Sequence, residues 1–339
     1  MAPEMLKASW LSRESQFSAF TNGSLLDFWN TRDEREFTGV DDIPIRYVSF
    51  SSPYHDKTLL ILPGRSESYV KYPEVAYDFY HLGYNIFILD HRGQGRSGRI
   101  LADPQKGHVE DFAHYVDDLA KLIELEITPL LSSFASSLPP HRCYALAHSM
   151  GGAILSCFLL RQEPVFRAVA LSAPMFGIYL PMPRWLANFL VNQAEPSPNK
   201  RNRYVLSTGR WRPLPYFINL LTHSYRRYRR YLRYYADYPE LRLGGPTYRW
   251  MRESMRTGDN LVENAGKIQT PLIVLKASED KIVSNRELLA FCKSRQKAGT
   301  GEEEHKPLVI QGAHHEILFE KDALRAQALN AICDFFDQN

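Results

Sequence analysis

Short apolar runs alternate with longer segments of helical periodicity along this chain. Residues 58–62, 85–89, 143–147, 168–172, 272–277 and 308–310 are each too short for a stable helix. Their nearly unbroken apolar character predicts strands covered on both faces. Residues 45–50 alternate instead, which predicts an outer antiparallel strand with one wetter face. Apolar positions recur at helical spacing in 72–81, 112–126, 150–161, 286–295 and 322–336, between the strands. The pattern is α/β: a mostly parallel sheet with helices on both faces.

The alternation breaks between about residues 175 and 260, where no convincing strand occurs and eight prolines are scattered. This region holds fifteen Arg and Lys against five Asp and Glu, so the rest of the chain is net acidic. It reads as a helical, basic, aromatic insertion. The expected organisation is a core in two parts, 1–174 and 261–339, with the insertion at 175–260.

With 339 residues and 44% hydrophobic content the chain can bury a large core. A net charge of only +3 argues against a nucleic-acid partner. Cys143, Cys157, Cys292 and Cys333 have no metal-ligand spacing, and buried free thiols in a reducing compartment are expected. Residues 1–20 lack the continuous apolar segment of a signal peptide. No apolar run is long enough to span a bilayer, so membrane contact is expected to be peripheral.

The strand at 143–147 stops at Ser149, with small residues around it, and a helical pattern follows at once. Strand, sharp turn, serine and helix make the nucleophile elbow of α/β-hydrolases, here Ala147-His148-Ser149-Met150-Gly151. Ala147 stands where glycine is usual. The helix start brings the Met150 N–H and the positive dipole end beside the hydroxyl. A serine nucleophile needs a base and an orienting carboxylate, in the chain order Ser, Asp or Glu, His. The strand at 272–277 runs into Ser278-Glu279-Asp280, and the one at 308–310 into Gly312-Ala313-His314-His315. Spacing leaves open Glu279 against Asp280 and His314 against His315.

A second oxyanion donor is expected after the first core strand, at Pro63-Gly64-Arg65. Pro63 has no N–H, so the Arg65 N–H is the candidate. The loop Asp90-His91-Arg92-Gly93-Gln94-Gly95-Arg96-Ser97-Gly98 lacks phosphate-loop spacing and reads as a support for the active face.

Residues 90–98, 147–152 and 312–320 resemble the monoacylglycerol-lipase-like branch of the α/β-hydrolases. Residues 63–72, 173–177 and 244–248 resemble, more narrowly, the bacterial lysophospholipases of the L-two type. The resemblance runs from about residue 37 to residue 336. It implies hydrolysis of the acyl ester of a lysophospholipid, giving a fatty acid and a glycerophosphodiester, with acyl transfer to a second lipid also attributed to the group. It implies a cytoplasmic enzyme, peripheral on the inner face of the cytoplasmic membrane, with no cofactor or metal. It places the nucleophile on Ser149, the carboxylate on Asp280 and the base on His315. His314 departs from the group, where Tyr is usual.

On a helix from Ser224, Tyr225, Tyr228, Leu232 and Tyr235 share one face, with Arg226, Arg229, Arg230 and Arg233 largely opposite. The tyrosine stripe is expected to pack inward. The four arginines are expected to meet an anionic membrane surface or the substrate phosphodiester.

Overall fold

A computed structural model describes residues 3–133, 141–161, 165–180, 182–298 and 306–339. Its eight strands are β1 (Asp33–Thr38), β2 (Pro44–Phe50), β3 (Lys57–Leu62), β4 (Tyr84–Leu89), β5 (Arg142–His148), β6 (Ala168–Ser172), β7 (Leu272–Ala277) and β8 (Leu308–Ile310). They form one sheet in the order β1-β2-β4-β3-β5-β6-β7-β8. β2 pairs antiparallel with β1 and with β4, and every later pairing is parallel. This is the strand order of an α/β-hydrolase.

The central strands are apolar throughout because both their faces are covered. Leu60 and Leu62 point into one core layer with Met150, Ile154 and Val116. Leu59 and Ile61 point into the other, with Val75, Phe79 and Leu329. The helices Ala113–Leu122 and Met150–Leu159 supply the first layer, and Pro73–His81 and Asp322–Gln338 the second.

Between β6 and β7 the chain forms the helices Arg184–Ala194, Pro198–Arg201, Tyr225–Asp237 and Tyr248–Asn264. The last of these crosses residue 260. Helix Tyr225–Asp237 starts at Ser224, whose hydroxyl accepts from the Arg227 N–H as an N-cap. Tyr228 and Tyr235 are buried, Leu232 is half-buried, and Tyr225 lies exposed at the first turn.

A buried ion cluster fastens this helix to the core. Arg227 binds Glu74 at 2.8 Å and Asp322 at 2.8 Å. Arg13 reaches Asp78 at 3.0 Å, and Arg325 reaches the same carboxylate at 2.5 Å. The four cysteines are buried and free. Among the described residues no helix is long and apolar enough to cross a membrane.

Candidate active site

β3, β5, β7 and β8 run parallel, so their C-terminal ends open onto one edge of the sheet. The turns that follow carry Arg65, Ser149, Asp280 and His315. Ser149 sits at φ 51° and ψ −116°, a conformation most side chains avoid. The elbow is held by main-chain bonds: Ser149 N–H donates to Ser172 O at 3.0 Å, and Met175 N–H donates to Ser149 O at 2.9 Å. The small residues are required by close approach. A Cβ on Gly151 would stand 2.6 Å from Pro63 O and closer still to Leu62 O. A Cβ on Gly152 would stand 2.8 Å from Pro174 Cβ.

His315 Nε2 lies 3.0 Å from Ser149 Oγ, and its Nδ1 lies 2.7 Å from Asp280 Oδ2. The other Asp280 oxygen accepts the Ile282 and Val283 N–H groups at 2.8 and 3.0 Å. Burial pushes the Asp280 carboxyl up, but His315 and these two donors outweigh it, and the net shift is downward. Asp280 therefore stays ionised and fixes the N–H on Nδ1 of His315. Nε2 is left as the acceptor for the Ser149 proton. All three side chains are buried.

The neighbours left open by spacing lie elsewhere. Glu279 is exposed, and its Oε2 is 3.6 Å from His314 Nε2. His314 packs against His223, with centroids 3.7 Å apart and ring planes tilted by 36°. His223, His314 and Glu320 hold ligand-type atoms within 4.8 Å of one another, the one such group among the described residues. Glu320 already accepts from His223 Nδ1 and from the His223, His314 and Lys321 N–H groups, so it serves as a bracket.

The turn after β3 is braced by the 90–98 loop and by Glu67, Lys71 and Tyr72, whose bracing role sequence reasoning did not find. Glu67 Oε2 accepts the Gly64 N–H at 2.5 Å and the Tyr72 hydroxyl at 2.6 Å. Gln94 Nε2 donates to Gly64 O at 2.7 Å, and His91 Nε2 donates to Pro63 O at 3.1 Å. The 90–98 loop thus supports the active face. Lys71 bridges Glu67 at 2.6 Å and Glu316 at 2.5 Å, tying this turn to the residue after His315. The nearest available signal was the Glu67–Lys71 spacing. These bonds leave the Arg65 and Met150 N–H groups without an acceptor among the described residues. Burial lowers His148 to about 4, so this ring, packed 4.7 Å from His315, is neutral.

Arg226, Arg229 and Arg233 are exposed and Arg230 is half-buried. With Trp29, Arg96 and Tyr238 they line a groove of about 1400 Å³ whose lining does not include Ser149. The structure does not bring them to the triad-like group. Arg65, in the turn after β3, directs its guanidinium to Gly244 O and the Trp250 ring.

The family model described as serine aminopeptidase, S33, matches residues 53–322. Lysophospholipase L2 of Escherichia coli strain K12 is 54% identical over 97% of this chain and 95% of its own length. Monoacylglycerol lipase of Mycolicibacterium smegmatis is 25% identical over 75% of this chain and 81% of its own. A solved structure of a soluble monoglyceride lipase variant from Saccharomyces cerevisiae superposes with a TM-score of 0.67 at 19% identity, covering 90% of this chain and 94% of that one. This chain belongs to the serine aminopeptidase S33 family of hydrolases, in the group of the lysophospholipase L2 proteins.

Proposed function

We propose that this chain is a serine esterase that cleaves the acyl ester of lysophospholipids to a fatty acid and a glycerophosphodiester. The observation that carries the reading is the unbroken relay Ser149 Oγ, His315, Asp280, at 3.0 and 2.7 Å. The substrate class is supported by the 54% identical lysophospholipase L2. His315 takes the Ser149 proton as Oγ attacks the ester carbonyl. The Met150 and Arg65 N–H groups receive the oxyanion, where losing one donor costs about 10²–10³ in rate. The bond to the alcohol breaks, and the glycerophosphodiester leaves with the proton from His315. Water activated by the same imidazole then cleaves the acyl-serine. A second lipid's hydroxyl in place of water gives acyl transfer. This chemistry calls for no metal or organic cofactor.

Residues 175–260 act as a cap over this edge of the sheet, pinned by Arg227. Arg226, Arg229, Arg230 and Arg233 hold the cap on the anionic inner face of the cytoplasmic membrane. Their exposure along one groove supports this role. A monoacylglycerol lipase is the second reading, favoured by the Mycolicibacterium smegmatis relative and using the same triad. A panel of lysophospholipids, monoacylglycerols and short soluble esters on purified protein separates the two. Higher kcat/KM for the neutral monoacylglycerol would overturn the first reading.

A further inference from the structure

Among the described residues no carboxylate stands within ion-pair distance of the Arg65 side chain. Its Nε is buried and has no hydrogen-bond partner among the described residues. Nη2 donates to Gly244 O at 2.6 Å and Nη1 to Ser66 Oγ at 3.1 Å, both neutral acceptors. The guanidinium carbon stands 5.1 Å from the Trp250 ring centroid. The ionisable groups acting on it are Tyr115, Tyr231 and Tyr204, and burial lowers its pKa to about 10. The buried Arg13, Arg92, Arg227 and Arg325 each meet a carboxylate, whereas Arg65, like Arg295 on Ile268 O, bonds only neutral acceptors among the described residues. Withdrawing a guanidinium from water without a counter-charge is unfavourable, and half-buried Arg65 carries part of that cost.

The surroundings form a built cradle. A Cβ on Gly107 would stand 3.0 Å from Arg65 Cζ, so glycine there makes the room the guanidinium occupies. Gly107 bridges to Pro246, closing the 106–108 and 244–247 segments around the side chain. Arg65 keeps partial exposure, which leaves a way in. Its own N–H is one of the two oxyanion donors proposed above. In a lysophospholipid the phosphate follows the scissile ester by one glycerol unit, a length close to that of an arginine side chain.

We propose that the Arg65 guanidinium is the subsite for the phosphodiester of the substrate and of the released alcohol. One residue then reads both ends of the glycerol unit: the carbonyl by its main chain and the phosphate by its side chain. This rests on the lysophospholipid reading, and its test is kept separate from that panel. Hydrolysis of p-nitrophenyl butyrate, a neutral ester, is followed with glycerophosphoethanolamine added as inhibitor. Each variant is normalised to its own uninhibited rate, which removes any effect on the oxyanion turn. Wild-type protein is expected to be inhibited competitively. Arg65→Met should raise the inhibition constant about 10- to 100-fold, the range for a hydrogen bond to a charged group. Arg65→Lys should recover part of it. Glycerol, lacking phosphate, should inhibit all three equally. Equal inhibition constants for wild type and Arg65→Met, or no inhibition of wild type, would overturn the assignment. The substrate panel alone decides the lysophospholipid reading.

Discussion

Arg227→Met removes the cation that fastens helix Tyr225–Asp237 to the core while keeping a side chain of similar reach. In the native protein its guanidinium makes four bonds: two to Glu74 at 2.8 and 2.9 Å, one to Asp322 at 2.8 Å and one to Glu320 O at 2.8 Å. Breaking a buried pair from one side costs about 3–5 kcal/mol, because the partner is left buried and unpaired. Here Glu74 keeps Arg325 at 3.5 Å and Arg13 at 3.7 Å, so the lower end, about 3 kcal/mol, is expected. The loss should depend on pH. Burial raises the Glu74 carboxyl, but Arg227, Arg325 and Arg13 outweigh it and hold it below the usual carboxylate range. A depressed folded pKa gives stability that is present above the unfolded value and lost as pH falls through the folded one. Without Arg227 the depression shrinks, so wild type and variant should converge on acidification. Urea unfolding followed by tryptophan fluorescence, at about pH 7 and about pH 3, measures both terms. A gap below about 1 kcal/mol at neutral pH, or one unchanged in acid, would refute the reasoning.

Ser149→Ala should lower kcat on any ester by about 10⁴–10⁶ with the fold intact, and retention of a tenth of wild-type turnover would exclude the elbow serine as nucleophile. His315→Ala and Asp280→Ala should cost far more in kcat/KM than His314→Ala and Glu279→Ala; inactivation by His314→Ala alone would reassign the base. Gly151→Ala should displace the turn after β3 and reduce kcat by about 10²–10³, the value of one oxyanion donor, and a wild-type kcat in a folded variant would sink that account. Replacing Arg226, Arg229, Arg230 and Arg233 together by Gln should weaken co-sedimentation with anionic vesicles at low salt, at about 1 kcal/mol per residue, while hydrolysis of a short soluble ester persists. Equal vesicle binding in every condition would return these arginines to a solubilising role.

Much of the sheet was legible because its central strands are buried on both faces. β6, β7 and β8 run over the residues their apolar runs predict. β1 was not legible: Asp33-Glu34-Arg35-Glu36-Phe37-Thr38 is polar and mostly exposed, and only pairing with β2 makes it a strand. The chemistry was located by strand ends, since a parallel sheet gathers them on one edge. Spacing could not separate Asp280 from Glu279 or His315 from His314. Which neighbour turns inward depends on the path of the chain after the strand. Arg227 was missed because helix Tyr225–Asp237 carries five arginines, and only contact with Glu74 and Asp322 distinguishes the buried one.

The contact of Gly151 with Leu62 O and Pro63 O has a consequence for how such a protein can vary. At Gly151 the helix that follows Ser149 meets the end of β3 and the turn that carries Arg65 main chain to main chain. Position 151 itself has no room for a side chain to act as a spacer of adjustable length. Repacking the apolar layers beneath cannot retune that spacing, and no single substitution at position 151 can lengthen it smoothly. The reactive edge is dimensionally fixed. Divergence toward a new ester is thereby channelled into side chains that border it, of which Arg65 is one, and into the helices between β6 and β7.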